Sequence, residues 1–192
     1  MGGLNMKRLF KALIAVMGVF AIFVVINNRE VSAAYGRGPK FTVPKIYRGT
    51  WYSYDADSHF PFYDKKAKLV KITFTAHTLN KKVIYVQDRK IAYADSIVNN
   101  QKKAHIASKA TKNWYAGDLR VKNFRGMDAL EVDPWYGYEI WNFFVPKTEV
   151  INGKKHDVLW YSNVYSKYVN LYKSKAIAKK MKGHVFPGQK LI

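Results

Sequence analysis

Cysteine is absent from the 192 residues, which excludes a disulfide scaffold, a Cys-based zinc site, a thiol nucleophile and the lipidated cysteine of a lipoprotein. Acidic residues are scarce, with 13 Asp and Glu against 33 Lys and Arg and a formal net charge of +20. Catalytic signatures are missing too: there is no G-x-S-x-G elbow, Walker loop, H-E-x-x-H pair or sortase-type LPxTG sequence. His59, His77, His105, His156 and His184 are dispersed without an i, i+4 pair, so no metal site and no cofactor is expected. Asp55 to His59 offers three oxygen or nitrogen ligands in one loop but lacks the glycine and terminal glutamate of a calcium loop. These absences point away from an enzyme.

What the chain does contain begins with an export address. Lys7, Arg8 and Lys11 precede an uncharged run from Ala12 to Ile26, and Val31-Ser32-Ala33 supplies the small residues that a signal peptidase reads. Cleavage after Ala33 is expected. The alternative is a membrane anchor made by uncleaved residues 9–26, but fifteen apolar residues fall short of the roughly 20 needed to span a hydrocarbon core. Cleavage removes Lys7, Arg8, Lys11, Arg29 and Glu30 and lowers the net charge from +20 to +17. An exported cation of this size meets teichoic acids, anionic head groups and acidic polysaccharide, and binds them in a salt-dependent way. Export makes nucleic acid a poor physiological target, whatever the charge does in vitro.

Three segments follow: a signal peptide at 1–33, an extended Gly- and Pro-bearing lead-in at 34–47, and one domain at 48–192. The domain reads as mostly β. Val70, Ile72 and Phe74 alternate with Lys71, Thr73 and Thr75, the period of a half-buried strand. Further strands are expected at 49–54, 83–87, 114–122, 129–132, 137–145, 157–162 and 168–172, with a weak one near Ile106. Asn80-Lys81 and Asn152-Gly153 read as turns, the second a strong type I′ signal. Ser174 is placed to cap a short helix to about Met181, with Gly183 as its stop. Seven or eight short strands predict a single antiparallel barrel with a short C-terminal helix, preceded by the hydrophobic signal helix.

Gly49-x-Trp51 on the first strand resembles the G-x-W motif that opens lipocalin-type barrels. That resemblance implies a tryptophan closing the barrel base and a glycine permitting close backbone approach. The second motif of those proteins, threonine-aspartate-tyrosine, and an arginine on the last strand are not found. The longer string Arg48-Gly49-Thr50-Trp51-Tyr52 is similar to the opening of uncharacterised small secreted proteins of lactic acid bacteria with lipocalin-like domains, which implies export and a β-barrel and no activity.

All 14 tyrosines and all five tryptophans lie beyond residue 33. In the richest segment Trp135, Tyr138, Trp141 and Phe143 are candidates for stacking on an apolar or sugar guest. The bland reading is a central strand with one face on the core and the other under a helix or loop. Lys167, Lys173, Lys175, Lys179, Lys180 and Lys182 are candidates for binding polyanions, because 175, 179 and 182 fall on one helical stripe. The expected function is that of a non-enzymatic binding protein of the bacterial envelope, held on anionic wall polymers or the membrane surface. Two alternatives stand beside it. A wall-glycan hydrolase or inhibitor would draw two carboxylates from Asp118, Asp128, Glu131, Asp133 and Glu139; a protein-interaction module would expose a large apolar patch.

Overall fold

A computed structural model describes residues 35–55, 62–124, 126–136, 141–163 and 168–189, the side chains of 121–124 excepted. The signal segment, Tyr138, Glu139 and Lys167 lie outside the described residues. No helix among the described residues is long and apolar enough to cross a membrane.

Among the described residues the sheet has eleven strands: β1 (Arg37–Lys40), β2 (Gly49–Ser53), β3 (Tyr63–Asp64), β4 (Leu69–Phe74), β5 (Thr78–Leu79), β6 (Lys82–Gln87), β7 (Trp114–Phe124), β8 (Met127–Pro134), β9 (Asn142–Ile151), β10 (Lys154–Asn163) and β11 (Val169–Tyr172). Their order, β6-β5-β4-β2-β11-β10-β9-β8-β7, closes in a ring because β7 pairs back onto β6; β1 and β3 branch from it. That closing pair is parallel, with Ile84 opposite Tyr115, which corrects the expectation of a wholly antiparallel meander. Parallel neighbours need a long crossover, usually helical. The segment after β6 supplies it as α1 (Arg89–Ala92), α2 (Asp95–Val98) and α3 (Gln101–Ala110). The weak strand expected near Ile106 is therefore a helix. Asp88 caps α1 by accepting from Lys90 N and Ile91 N, and Asn100 caps α3 by accepting from Lys103 N at 3.0 Å.

The lead-in is also more than a tether. β1 pairs with β6, Val43 and Tyr47 are buried in the core, and Tyr35 O accepts from Trp135 Nε1 at 3.0 Å. Between β9 and β10 the strands run on to Ile151 and Lys154, so only Asn152 (φ 52°) and Gly153 (φ 75°) turn the chain. Both central residues have positive φ, as a type I′ hairpin requires.

Alternation along the strands divides the side chains between two cores. One contains Trp51, Ile72, Phe74, Ile84, Leu130, Val132, Phe144, Leu159, Tyr161 and Leu171, with Phe74 edge-on to Phe144 at 5.1 Å. The other contains Phe143, Val145, Val158, Trp160 and Tyr172, and is covered by α4 (Lys175–Lys180) and by Phe186 of the C-terminal tail. Successive residues such as Phe143 and Phe144 thus both bury without a ligand. The C-terminal helix begins at the Ser174 cap and docks through Ile177, Ala178 and Met181. It ends at Lys180, with Met181 as its cap and Gly183 at φ +76°.

Candidate functional site

The Gly49-x-Trp51 motif builds a closed corner. Trp51 is 1% exposed, its Nε1 donates to Tyr47 O at 2.7 Å, and the Lys173 ammonium stands 3.6 Å from its ring centroid. Lys173 Nζ also donates to Arg48 O. A Cβ on Gly49 would lie 2.8 Å from that ammonium, and its φ of +106° is one that L side chains rarely adopt. The glycine therefore makes room for the cation that covers the tryptophan. The last strand carries no arginine; the covering residue is a lysine one position beyond it. Burial holds the Lys173 pKa below its ordinary value, while Asp157 works in the opposite direction. Lys173→Ala is expected to lose about 1 kcal/mol, the scale of a partly exposed cation–π contact, and Lys173→Arg to keep most of it. Urea unfolding midpoints test this, and equal losses in both variants would contradict the assignment.

Lys175, Lys179, Lys180 and Lys182 are exposed around α4, with Lys175 Nζ 5.5 Å from the Tyr52 ring. Lys182 lies in the turn beyond the helix, not on its stripe. A cleft of about 270 Å³ opens beside these residues, lined by Lys155, His156, Asp157, Tyr172, Lys173 and Ile177. Asp55, which belongs to the acidic loop at 55–59 whose other residues lie outside the described ones, accepts from Gly183 N at 2.5 Å. Among the described residues no group of three metal-ligating side chains converges.

Two of the acids, Glu131 and Asp118, pair with arginine. Glu131, 3% exposed, accepts from Arg89 Nη2 at 2.6 Å through one oxygen and from Arg120 Nε through the other. Arg120 also reaches Asp118 at 3.4 Å. Asp133, 5% exposed, shares a hydrogen bond with Glu131 and accepts from Asn142 N at 2.8 Å. Tyr161 Oη continues the chain to Asn142 Oδ1 at 2.6 Å. Burial is the main cause that pushes the Asp133 pKa up to about 8, helped by Glu131, which favours a proton held between the two carboxyls at neutral pH. Burial also opposes ionisation of Glu131, but its hydrogen bonds outweigh this and its pKa is lowered. Glu131 lines a cleft of about 160 Å³, yet both its oxygens are occupied. Two carboxyls in direct hydrogen bond cannot flank a glycosidic bond, which needs a gap of about 5 Å or more. This pair is a structural knot.

Of the four aromatic candidates Tyr138 lies outside the described residues, and the other three sit in different surroundings. Trp135 is 2% exposed and packs edge-on against Trp114 at 5.3 Å and Tyr85 at 6.4 Å. Phe143 belongs to the core under α4, and Trp141 is exposed. A guest cup formed by these residues is not present among the described ones. Exposed large apolar residues, Ile46, Val86, Ile91, Ile106, Leu119, Trp141, Val150 and Val185, belong to separate elements. Compared with protein-family models, curated proteins and solved structures, the chain matches none, so any functional reading rests on the geometry above.

Proposed function

We propose that the protein is exported and acts as a non-enzymatic binding protein of the cell envelope, a lipocalin-like barrel in plan, retained on anionic wall or membrane polymers by its lysines. The observation that carries this reading is the division of labour among charges. Among the described residues the carboxylate ion pairs run through arginine, and the lysines form none. Lys173 apart, which is held over Trp51, their charge is left to act outward, where it raises local concentration on a polyanionic surface. The core side chains packed between the strands favour recognition at the surface over carriage of a guest inside. The α4 face, next to a cleft walled by Lys155 and Lys173, is the contact surface we assign.

The test is a charge reversal. Lys175→Glu, Lys179→Glu and Lys182→Glu together are expected to weaken binding to immobilised teichoic acid or heparin at least tenfold near physiological salt. Each lysine close to a polyanionic surface contributes on the order of 1 kcal/mol before screening. Unchanged affinity in a variant whose thermal melt matches the parent would refute the retention surface.

A further inference from the structure

We infer that a second groove, at the far end of the sheet from the α4 face, binds an acidic oligosaccharide. The two places are separated along β9. The α4 cleft lies beside Lys155, which pairs with Val150 near the end of that strand. The groove lies beyond Pro134, where β8 ends on the side on which β9 begins. Its volume is about 140 Å³, and its lining includes Lys82, Ser108, Lys112, Trp114, Trp135 and Tyr136.

Three features give it a chemistry unlike the other clefts. Its described lining contains two lysines and no carboxylate, whereas the α4 cleft includes Asp157 and the third cleft includes Asp118 and Glu131. Its walls are aromatic: Trp114 and Tyr136 are half-buried, Trp114 with the Arg37 guanidinium 4.5 Å from its ring centroid and Tyr136 edge-on to Tyr93, and the ring surface still exposed is what meets the apolar face of a pyranose. Lys82 Nζ stands 5.5 Å from the Tyr115 ring centroid, which places a cation directly beside that aromatic floor. The last turn of α3 adds the Ser108 hydroxyl to the lining. Ring stacking with cationic partners at the rim fits a uronic-acid unit better than a bare phosphate chain, which has no ring to stack. The inference rests on the envelope reading for where such a polymer is met, and not on the α4 lysines.

Hyaluronan tetrasaccharide is a suitable probe, because it alternates glucuronate with a neutral sugar. Titrated into the whole protein at 150 mM salt and followed by calorimetry and tryptophan fluorescence, it is expected to bind at least tenfold more tightly than neutral chitotetraose. Lys82→Gln with Lys112→Gln should remove that advantage, while Lys175→Gln with Lys179→Gln should leave it in place. Both pairs are exposed, so folding is preserved and is checked by thermal melting. Three results overturn the inference: no binding of the tetrasaccharide, full competition by inorganic polyphosphate with no fluorescence change, or equal loss in both double variants. In the last case general charge is at work, and the retention surface survives while the groove does not.

Discussion

Arg120→Ala is expected to lose about 2–3 kcal/mol of stability, the cost of taking a charged donor from a buried carboxylate, because the Arg120 side chain is itself 29% exposed. Glu131 is 3% exposed, and the cleft of about 160 Å³ that it lines gives water a limited path to the freed oxygen. Arg89, whose side chain is 48% exposed, holds the other oxygen and cannot serve both. Its own removal should therefore be milder, about 1–2 kcal/mol, since water replaces an exposed donor more readily. The double variant Arg120→Met with Glu131→Gln should recover much of the loss, because a buried ion pair barely outweighs a well-packed neutral replacement. Urea unfolding measures all three. A loss below about 1 kcal/mol in Arg120→Ala would mean that the knot is solvated and does not organise this part of the sheet.

The second large effect is a dependence of stability on pH. Asp133 ionises near 3.8 in an unfolded chain but only at about 8 in the folded protein, so between those limits folding takes up a proton. The unfolded state then binds fewer protons than the native state, and stability falls as pH rises through this window. The contribution is fully present below about pH 4 and is lost by about pH 8. Its slope is on the order of 1 kcal/mol per pH unit at most. Glu131 has the opposite sign: its lowered pKa gives stability present above its ordinary value of 4.5 and lost in acid. Burial also raises the pKa values of Asp55 and Glu149, which contribute with the same sign, so the Asp133 part is read from pH 5 to pH 8 as the difference between parent and variant. Asp133→Asn keeps a donor toward Glu131 and an acceptor for Asn142 N while removing the titration, so its stability should decline less steeply than the parent's across that range. A parent protein with no decline between pH 5 and pH 8, or an Asn variant that declines as steeply, would contradict the protonated state.

Several parts of this architecture are legible from residue order because local chemistry decides them. Asn152-Gly153 turns the chain wherever it stands, and Ser174 with Gly183 brackets a helix by capping and positive φ. Val70, Ile72 and Phe74 alternate because one face of β4 is buried. What escaped is set by distant partners. Residues 89–110 are rich in lysine and alanine with a weak apolar stripe, and they become helical because β6 and β7 lie parallel and must be joined across the sheet. The lead-in looks structureless until β6 offers it an edge.

The same distinction explains the site. Gly49 and Trp51 are visible as a motif, but the cation that completes it comes from Lys173, more than a hundred residues away, and carries no local mark. Glu131 and Asp133 are two apart on one strand, a spacing that normally puts carboxylates on one face to repel each other. Only the arrival of Arg89 and Arg120 from other positions, and a proton held between the two carboxyls, makes that arrangement stable. Trp135 drew notice for its aromatic neighbours in sequence, whereas its contacts are Trp114 and Tyr85. The groove inferred above is assembled from β6, the end of α3, β7 and β8, so no window of sequence contains it.

The proposal as a whole stands on export followed by electrostatic retention, and one fractionation tests both. Intact producing cells are washed first in low salt and then in about 1 M sodium chloride, where charges are screened within about 3 Å. Released protein is then sequenced from its N-terminus. The account predicts that the protein stays with the cells in low salt, comes off in high salt and begins at Ala34. Recovery only from the cytosol, still beginning at Met1 or Met6, would contradict it.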